Sequence, residues 1–192
     1  MSNENIENGF DPSLSQAVEQ AVVPDLTGRQ FGEWRVLRRV GAGAMAEVFL
    51  GDQRSLDRRV ALKILKPELA KDNTYINRFT REAKAAARLV HPNIVHIYEV
   101  DCQDGVWYIA QEYIQGTNLG QLLKRNGSLS ARRTFEIMWQ VASALAKASQ
   151  EGIVHRDIKP ENILLAITGR SRSRTSGWPG SPTWPGRNRP RT

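Results

Sequence analysis

The chain has 192 residues and is 40% hydrophobic, enough for one packed domain or a domain with a tail and too short for several. Its net charge of +7 is uneven: residues 166–192 hold six arginines and no acid, which leaves +1 for everything before them, so the high pI belongs to the tail and says nothing of a basic face on the folded part. One cysteine, Cys102, excludes an internal disulfide, the first twenty residues lack the basic and apolar regions of a secretory signal, and no apolar run reaches the roughly 18 residues that span a bilayer. The expectation is a cytoplasmic chain with no membrane segment and no nucleic-acid partner.

Residues 1–27 show no periodicity and are expected to be a disordered leader. Trp34, Val36 and Leu37 then form an apolar run that reads as a strand reaching Gly41. AEVFLGDQ and RRVALKILKP follow as two more strands, the second stopped by Pro67. In DNTYINRFTREAKAAARLV the period changes. Ile76, Phe79, Ala83, Ala86 and Val90 recur at three- and four-residue steps, Asp72 or Asn73 can cap the start, and His91-Pro92 ends the run: a helix. NIVHIYEVDCQ and GVWYIAQEYI flank Asp104-Gly105 and read as a hairpin. TNLGQLLKRNG is a short helix. SARRTFEIMWQVASALAKASQEG is a long one, with Ser130 as N-cap, Gly152 just past its end, and Phe135, Met138, Ala142 and Leu145 as its apolar face. A strand-rich lobe thus precedes a helical one, joined near residues 112–117.

Four segments carry chemistry. In VGAGAMAEV, Gly41 and Gly43 allow backbone N–H groups to approach a phosphate, although such a pair alone fits any tight hairpin. In VALK, Ala61 and Lys63 share a strand phase, so a small residue beside a lysine leaves room for a flat ligand; a strand lysine alone is commonly just solvated. Glu82 stands three residues after Phe79, near the buried stripe of the helix, where a carboxylate needs a partner such as Lys63; a surface glutamate fits the same spacing. HRDIKPEN, residues 155–162, is the specific signal. Asp157 can accept a hydroxyl proton, Lys159 can neutralise a transferring phosphoryl group, and Asn162 can offer an amide oxygen to a metal.

These four segments, in this order, resemble a protein kinase of the bacterial Ser/Thr type over residues 31–165. The resemblance implies an α+β fold: a five-stranded antiparallel N-lobe sheet with one helix (residues 28–112), then the hinge and an incomplete helical C-lobe (113–165). It implies ATP and Mg²⁺ as cofactors and a protein Ser/Thr hydroxyl as substrate. Val40, Gly41, Ala42, Gly43, Ala44, Met45, Ala46, Glu47 and Val48 would cover the ATP phosphates, with Val48 and Ala61 also against adenine. Lys63, held by Glu82, would bind the α- and β-phosphates. Gln111 would be the gatekeeper, Glu112 and Ile114 the hinge contacts and Leu164 the pocket floor. Asp157 would be the catalytic base, Lys159 the phosphate contact and Asn162 a metal ligand. Two departures stand out. Ala46 replaces the third glycine of the loop pattern, and neither DFG nor APE occurs anywhere in the chain. Impaired turnover is therefore expected, and the alternative reading is a non-catalytic, pseudokinase-like ATP-binding fragment.

Residues 166–192 read as a disordered basic tail. They admit a further reading. RTSGWP can be coded CGG ACT TCG GGC TGG CCN, and starting at the last base of the arginine codon gives Asp-Phe-Gly-Leu-Ala, with the aspartate at about Thr175. A one-base slip between about Ala166 and Ser171 would hide the missing motif in this frame.

Overall fold

The computed structural model describes residues 23–167 and the backbone of 171–173. Its elements are β1 (Gln30–Phe31), β2 (Trp34–Ala42), β3 (Ala46–Gln53), β4 (Arg58–Leu65), α1 (Asn73–Ala87), β5 (Ile97–Gln103), β6 (Val106–Glu112), β7 (Gly116–Asn118), α2 (Leu119–Asn126), α3 (Ala131–Gln150), β8 (Ile163–Ala166) and β9 (Ser171–Ser173). An antiparallel sheet runs β1-β2-β3-β4-β6-β5. The five expected strands are there, and the two-residue β1 extends the sheet at one edge. A smaller sheet, β7-β8-β9, stands below it.

Period-2 alternation divides the faces of the large sheet. Val60, Leu62 and Ile64 of β4 join Phe31, Trp34, Val36, Phe49 and Tyr108 in one apolar cluster. Ala61 and Lys63 point the other way. Helix α1 buries Phe79, Ala83 and Ala86 against Ala46, Leu65, Ile97 and Ile109. Of its two candidate caps the structure uses Asp72, whose Oδ1 accepts the Thr74 N–H at 2.7 Å. The helix stops at Ala87, so Leu89 is buried and Val90, expected on the apolar stripe, is 73% exposed. Asp104 and Gly105 both take positive φ, which turns β5 into β6 with the twist a two-residue hairpin favours.

Three expectations are corrected. The leader does not run to residue 27: Val23 and Leu26 are buried in the cluster of Phe31 and Trp34. Two apolar residues three apart carry no periodic signal, yet they suffice to cover a sheet face. The basic tail does not begin at 166, because Ala166 ends β8 and the backbone of Ser171–Ser173 pairs with Ile163–Leu165. Thr175, where a shifted frame would place the aspartate, lies outside the described residues, as do residues 1–22. Finally, α3 buries Ile137, Val141, Ala144 and Ala148, while Phe135 and Met138 are exposed and Leu145 is partly buried. The helix is apolar on more than one side, so its packing partners, and not its period, select the face. Its ends are as expected: Ser130 Oγ accepts the Arg133 N–H, and Gly152 takes φ 71° just beyond the helix.

The lobes meet where Leu89 and Ile94 pack on Ala144 and Ala148 of α3. Beside this cluster His91 Nε2 lies 3.1 Å from Ser143 Oγ, and Asn93 Nδ2 donates to Gln140 Oε1 at 3.0 Å. Among the described residues no helix is long and apolar enough to cross a membrane.

Candidate active site

The face of the sheet that carries Ala61 roofs a cleft of about 310 Å³, walled by residues 111–118 and floored by β8. Eight of the residues singled out from the sequence line it. Val40, Val48 and Ala61 form the roof, Lys63 lies further in, Gln111, Glu112 and Ile114 follow the connecting segment, and Leu164 is the floor. The register explains the roof: Val48 pairs with Lys63, which sets the two side chains next to each other on adjacent strands, and opposite Val48 on β2 stands Gly41, which adds no side chain. Arg38, Tyr113, Thr117, Asn118 and Gln121 also line the cleft and were not anticipated. Two signals for them exist in the sequence. Arg38 shares the strand phase of Val40, and Asn118–Gln121 is a capping box, closed by Gln121 N–H to Asn118 Oδ1 at 2.7 Å and Asn118 N–H to Gln121 Oε1 at 3.3 Å.

The glycine-rich turn hangs between Ala42 and Glu47, a register pair, and Gly43 N–H to Ala46 O at 2.9 Å closes it. Gly41 and Ala44 lie on the exposed stretch of this hairpin, while Met45 packs on the α1 cluster. Ala46 is 4% exposed and its side chain belongs to that same cluster. Its Cβ is therefore core, and does not crowd the turn. Glu47 is the exception among the loop residues. It shares the strand phase of Phe49, on the face away from the cleft, and its carboxylate is bound by Val23 N–H and Arg39 Nη1, each at 3.1 Å.

Lys63 and Glu82 do not form the expected pair among the ion pairs of the described residues. Glu82 Oε1 takes Arg78 Nε at 3.0 Å, one turn back on α1, and Lys63 Nζ stands 5.6 Å over the Phe79 ring. An i,i+4 partner on the same helix needs no tertiary closure, which favours Arg78 locally. Glu82 is nonetheless buried on the cluster side of α1, one turn from the ring that Lys63 covers.

The segment 155–162 is built around Asp157. Arg156 takes φ 60°, and this left-handed residue bends the chain so that Asp157 N–H reaches His155 O at 2.8 Å. Asn162 Nδ2 donates to both Asp157 O and Asp157 Oδ2 at 2.9 Å, and Lys159 Nζ meets the same Oδ2 at 3.0 Å. Lys159, with Asn162 adding to it against a partial desolvation, holds the Asp157 carboxyl below its ordinary value. Both donors fall on one oxygen, and the half-exposed carboxylate keeps its other oxygen for a ligand. Because the Asn162 amide nitrogen is spent on Asp157, its oxygen is the end left for a cation. Among the described residues, no group of three or more His, Cys, Asp or Glu side chains is placed to hold a metal ion.

Residues 34–172 match the family model described as protein kinase domain. The serine/threonine-protein kinase PrkC of Bacillus subtilis is 48% identical over 138 residues, covering 72% of this chain and 21% of that protein. The serine/threonine-protein kinase PknD of Mycobacterium tuberculosis is 39% identical over 155 residues, 81% of this chain and 22% of that protein. The crystal structure of the M. tuberculosis PknI kinase domain superposes with a TM-score of 0.69 at 34% identity, over 83% of this chain and 65% of that one. The chain thus spans about a fifth of the length of these curated relatives.

Proposed function

The chain belongs to the protein kinase domain family, and on that footing we propose that its cleft binds Mg²⁺·ATP for transfer of the γ-phosphoryl group to a protein Ser or Thr hydroxyl. The observation that carries this is the cleft itself. An apolar roof and floor (Val40, Val48, Ala61, Leu164) enclose a flat space bounded by the backbone of Gln111–Ile114, with Lys63 inside it. Adenine fits between apolar layers and takes its hydrogen bonds from the Glu112–Ile114 backbone. Lys63 binds the α- and β-phosphates. The turn 41–47 approaches them from above through its N–H groups.

On the far side, Asp157 orients the acceptor hydroxyl and takes its proton late in the transfer. Its depressed basicity suits a group that accepts a hydrogen bond at neutral pH and does not strip the proton early. Lys159, two residues on, reaches the transferring phosphoryl group. The Asn162 oxygen would hold the metal, which would supply charge neutralisation at the phosphates. This chemistry belongs in the cytoplasm, where ATP is available, and needs no nucleic-acid partner.

A second reading, a nucleotide-binding module without turnover, is favoured by the lack of DFG and APE in this sequence and by the engagement of Glu82 with Arg78 on its own helix. One experiment separates the two. Mg²⁺·ATP is expected to raise the Tm of the chain, and Asp157→Asn is expected to keep that rise while lowering phosphotransfer to a Ser/Thr peptide about 10²–10⁴-fold. A Tm rise with no transfer in either protein selects the second reading. No Tm rise with the unsubstituted chain defeats both.

A further inference from the structure

The sheet face turned away from the cleft carries a buried carboxylate that phosphotransfer does not use. Glu47 is 1% exposed. It sits at the base of the glycine-rich turn, where its backbone pairs with Ala42. Arg39, half-exposed, holds one carboxylate oxygen from outside, and the backbone N–H of Val23 holds the other from within, each at 3.1 Å. Val23 and Leu26 sink into the cluster of Phe31, Trp34 and Phe49. The other end of this segment is pinned to β2, by Gly28 N–H to Val36 O and by Val36 N–H to Arg29 O, both at 2.9 Å. Residues 23–27 are therefore fastened at one end to the strand entering the turn and at the other to the strand leaving it.

We propose that residues 23–27 are a strap that positions the phosphate-covering turn through Glu47. A carboxylate in an apolar cluster is tolerable only while its oxygens are bonded. Releasing Val23 leaves one oxygen unmet. Strand β3 must then shift toward water at the residue next to the turn, and the hairpin 42–47 loosens. Displacing the strap thereby weakens grip on the nucleotide without touching any residue of the cleft. The inference rests on the ATP-binding reading for that last consequence only.

Amide hydrogen exchange on the full chain without nucleotide tests the strap itself. Val23→Pro removes the N–H donor and keeps an apolar side chain; Val23→Ala keeps the donor. Val23→Pro is expected to speed exchange at residues 42–48 at least tenfold and leave β4 and β6 unchanged, with Val23→Ala near the unsubstituted chain. In an ATP titration Val23→Pro is expected to raise Kd about 3–10-fold. Wild-type exchange at 42–48 in the proline variant, or a rise spread evenly over the sheet, overturns the proposal. Should Val23→Pro fail to fold, Glu47→Met, which removes the acceptor for Val23 while filling the same space, must show a rise of at least threefold confined to the same amides, and Arg39→Met, which leaves the Val23 bond in place, must not; any other result has the same consequence. An unsubstituted chain that does not bind ATP defeats the functional reading and leaves the exchange result to decide the strap.

Discussion

At Asp157 two donors, Lys159 and Asn162, converge on one oxygen. Because the folded-state pKa is lowered, chiefly by Lys159, the ion pair favours the native state above the ordinary aspartate range and is lost as pH falls through the lowered value. With both side chains substantially exposed, the effect on stability is small and screened by salt. Its clear signature is the titration. In a ¹³C-carboxyl NMR titration Asp157 is expected to titrate below 3.8, and Lys159→Met to bring the midpoint back toward that value. Equal midpoints in the two proteins would show that Lys159 does not set the charge of the site. Glu82 is legible only in part. Its proximity to the buried stripe is visible in the sequence, but its partner is not, since Arg78 and Lys63 are both within reach of a helix residue and only the packed structure chooses between them.

Among the elements, the three-residue β7 is tightly constrained. Gly116 pairs with Ala166, and a Cβ at position 116 would lie 1.8 Å from the Leu165 carbonyl oxygen. Backbone cannot yield as a side-chain tip can. Gly116→Ala is expected to part β7 from β8, costing about 1–3 kcal/mol and lowering Tm by roughly 4–12 °C in a thermal melt. A melt within 1–2 °C of the unsubstituted chain would mean that the small sheet does not couple the connecting segment to the catalytic segment. How far such elements can be read from sequence depends on whether a local signal exists. The N-cap at Asp72, the Asp104-Gly105 turn and the cap at Ser130 are local, and were legible. So was the strand phase that sets Ala61 and Lys63 in the cleft. The face of α3 was not, because Phe135 and Met138 offer as good a stripe as Ile137 and Val141. Nor was the docking of Val23 and Leu26, whose cluster runs from the nearby Phe31 and Trp34 to strands as far along the chain as Tyr108. Glu47 was misjudged with them: its place in a glycine-rich pattern suggested a phosphate contact, while its strand phase opposite Val48 already pointed it to the other face.

For the molecule as a whole, the joint between lobes is the cluster of Leu89, Ile94, Ala144 and Ala148, flanked by the His91–Ser143 and Asn93–Gln140 contacts. It ties the loop after α1 to α3, so the end of α1 travels with the helical lobe. Ala144 is 2% exposed, and there is no room for three more carbons. Ala144→Leu is expected to force the lobes apart. It should destabilise by about 1–3 kcal/mol in chemical denaturation and weaken ATP binding several-fold, although position 144 does not line the cleft. Destabilisation with unaltered ATP affinity would mean that the joint holds the lobes together without setting their spacing.

The strand order has a consequence for synthesis on the ribosome. Every pairing in β1-β2-β3-β4-β6-β5 joins chain neighbours except β4 with β6, whose last partners are Val60 and Glu112. The sheet therefore needs nothing beyond Glu112 to close, and an emerging chain folds its N-terminal part first. By the time Asp157 leaves the exit tunnel, the sheet that roofs the cleft, including the segment 23–27 that emerged before any of its strands, can already stand as the template on which residues 155–162 are laid.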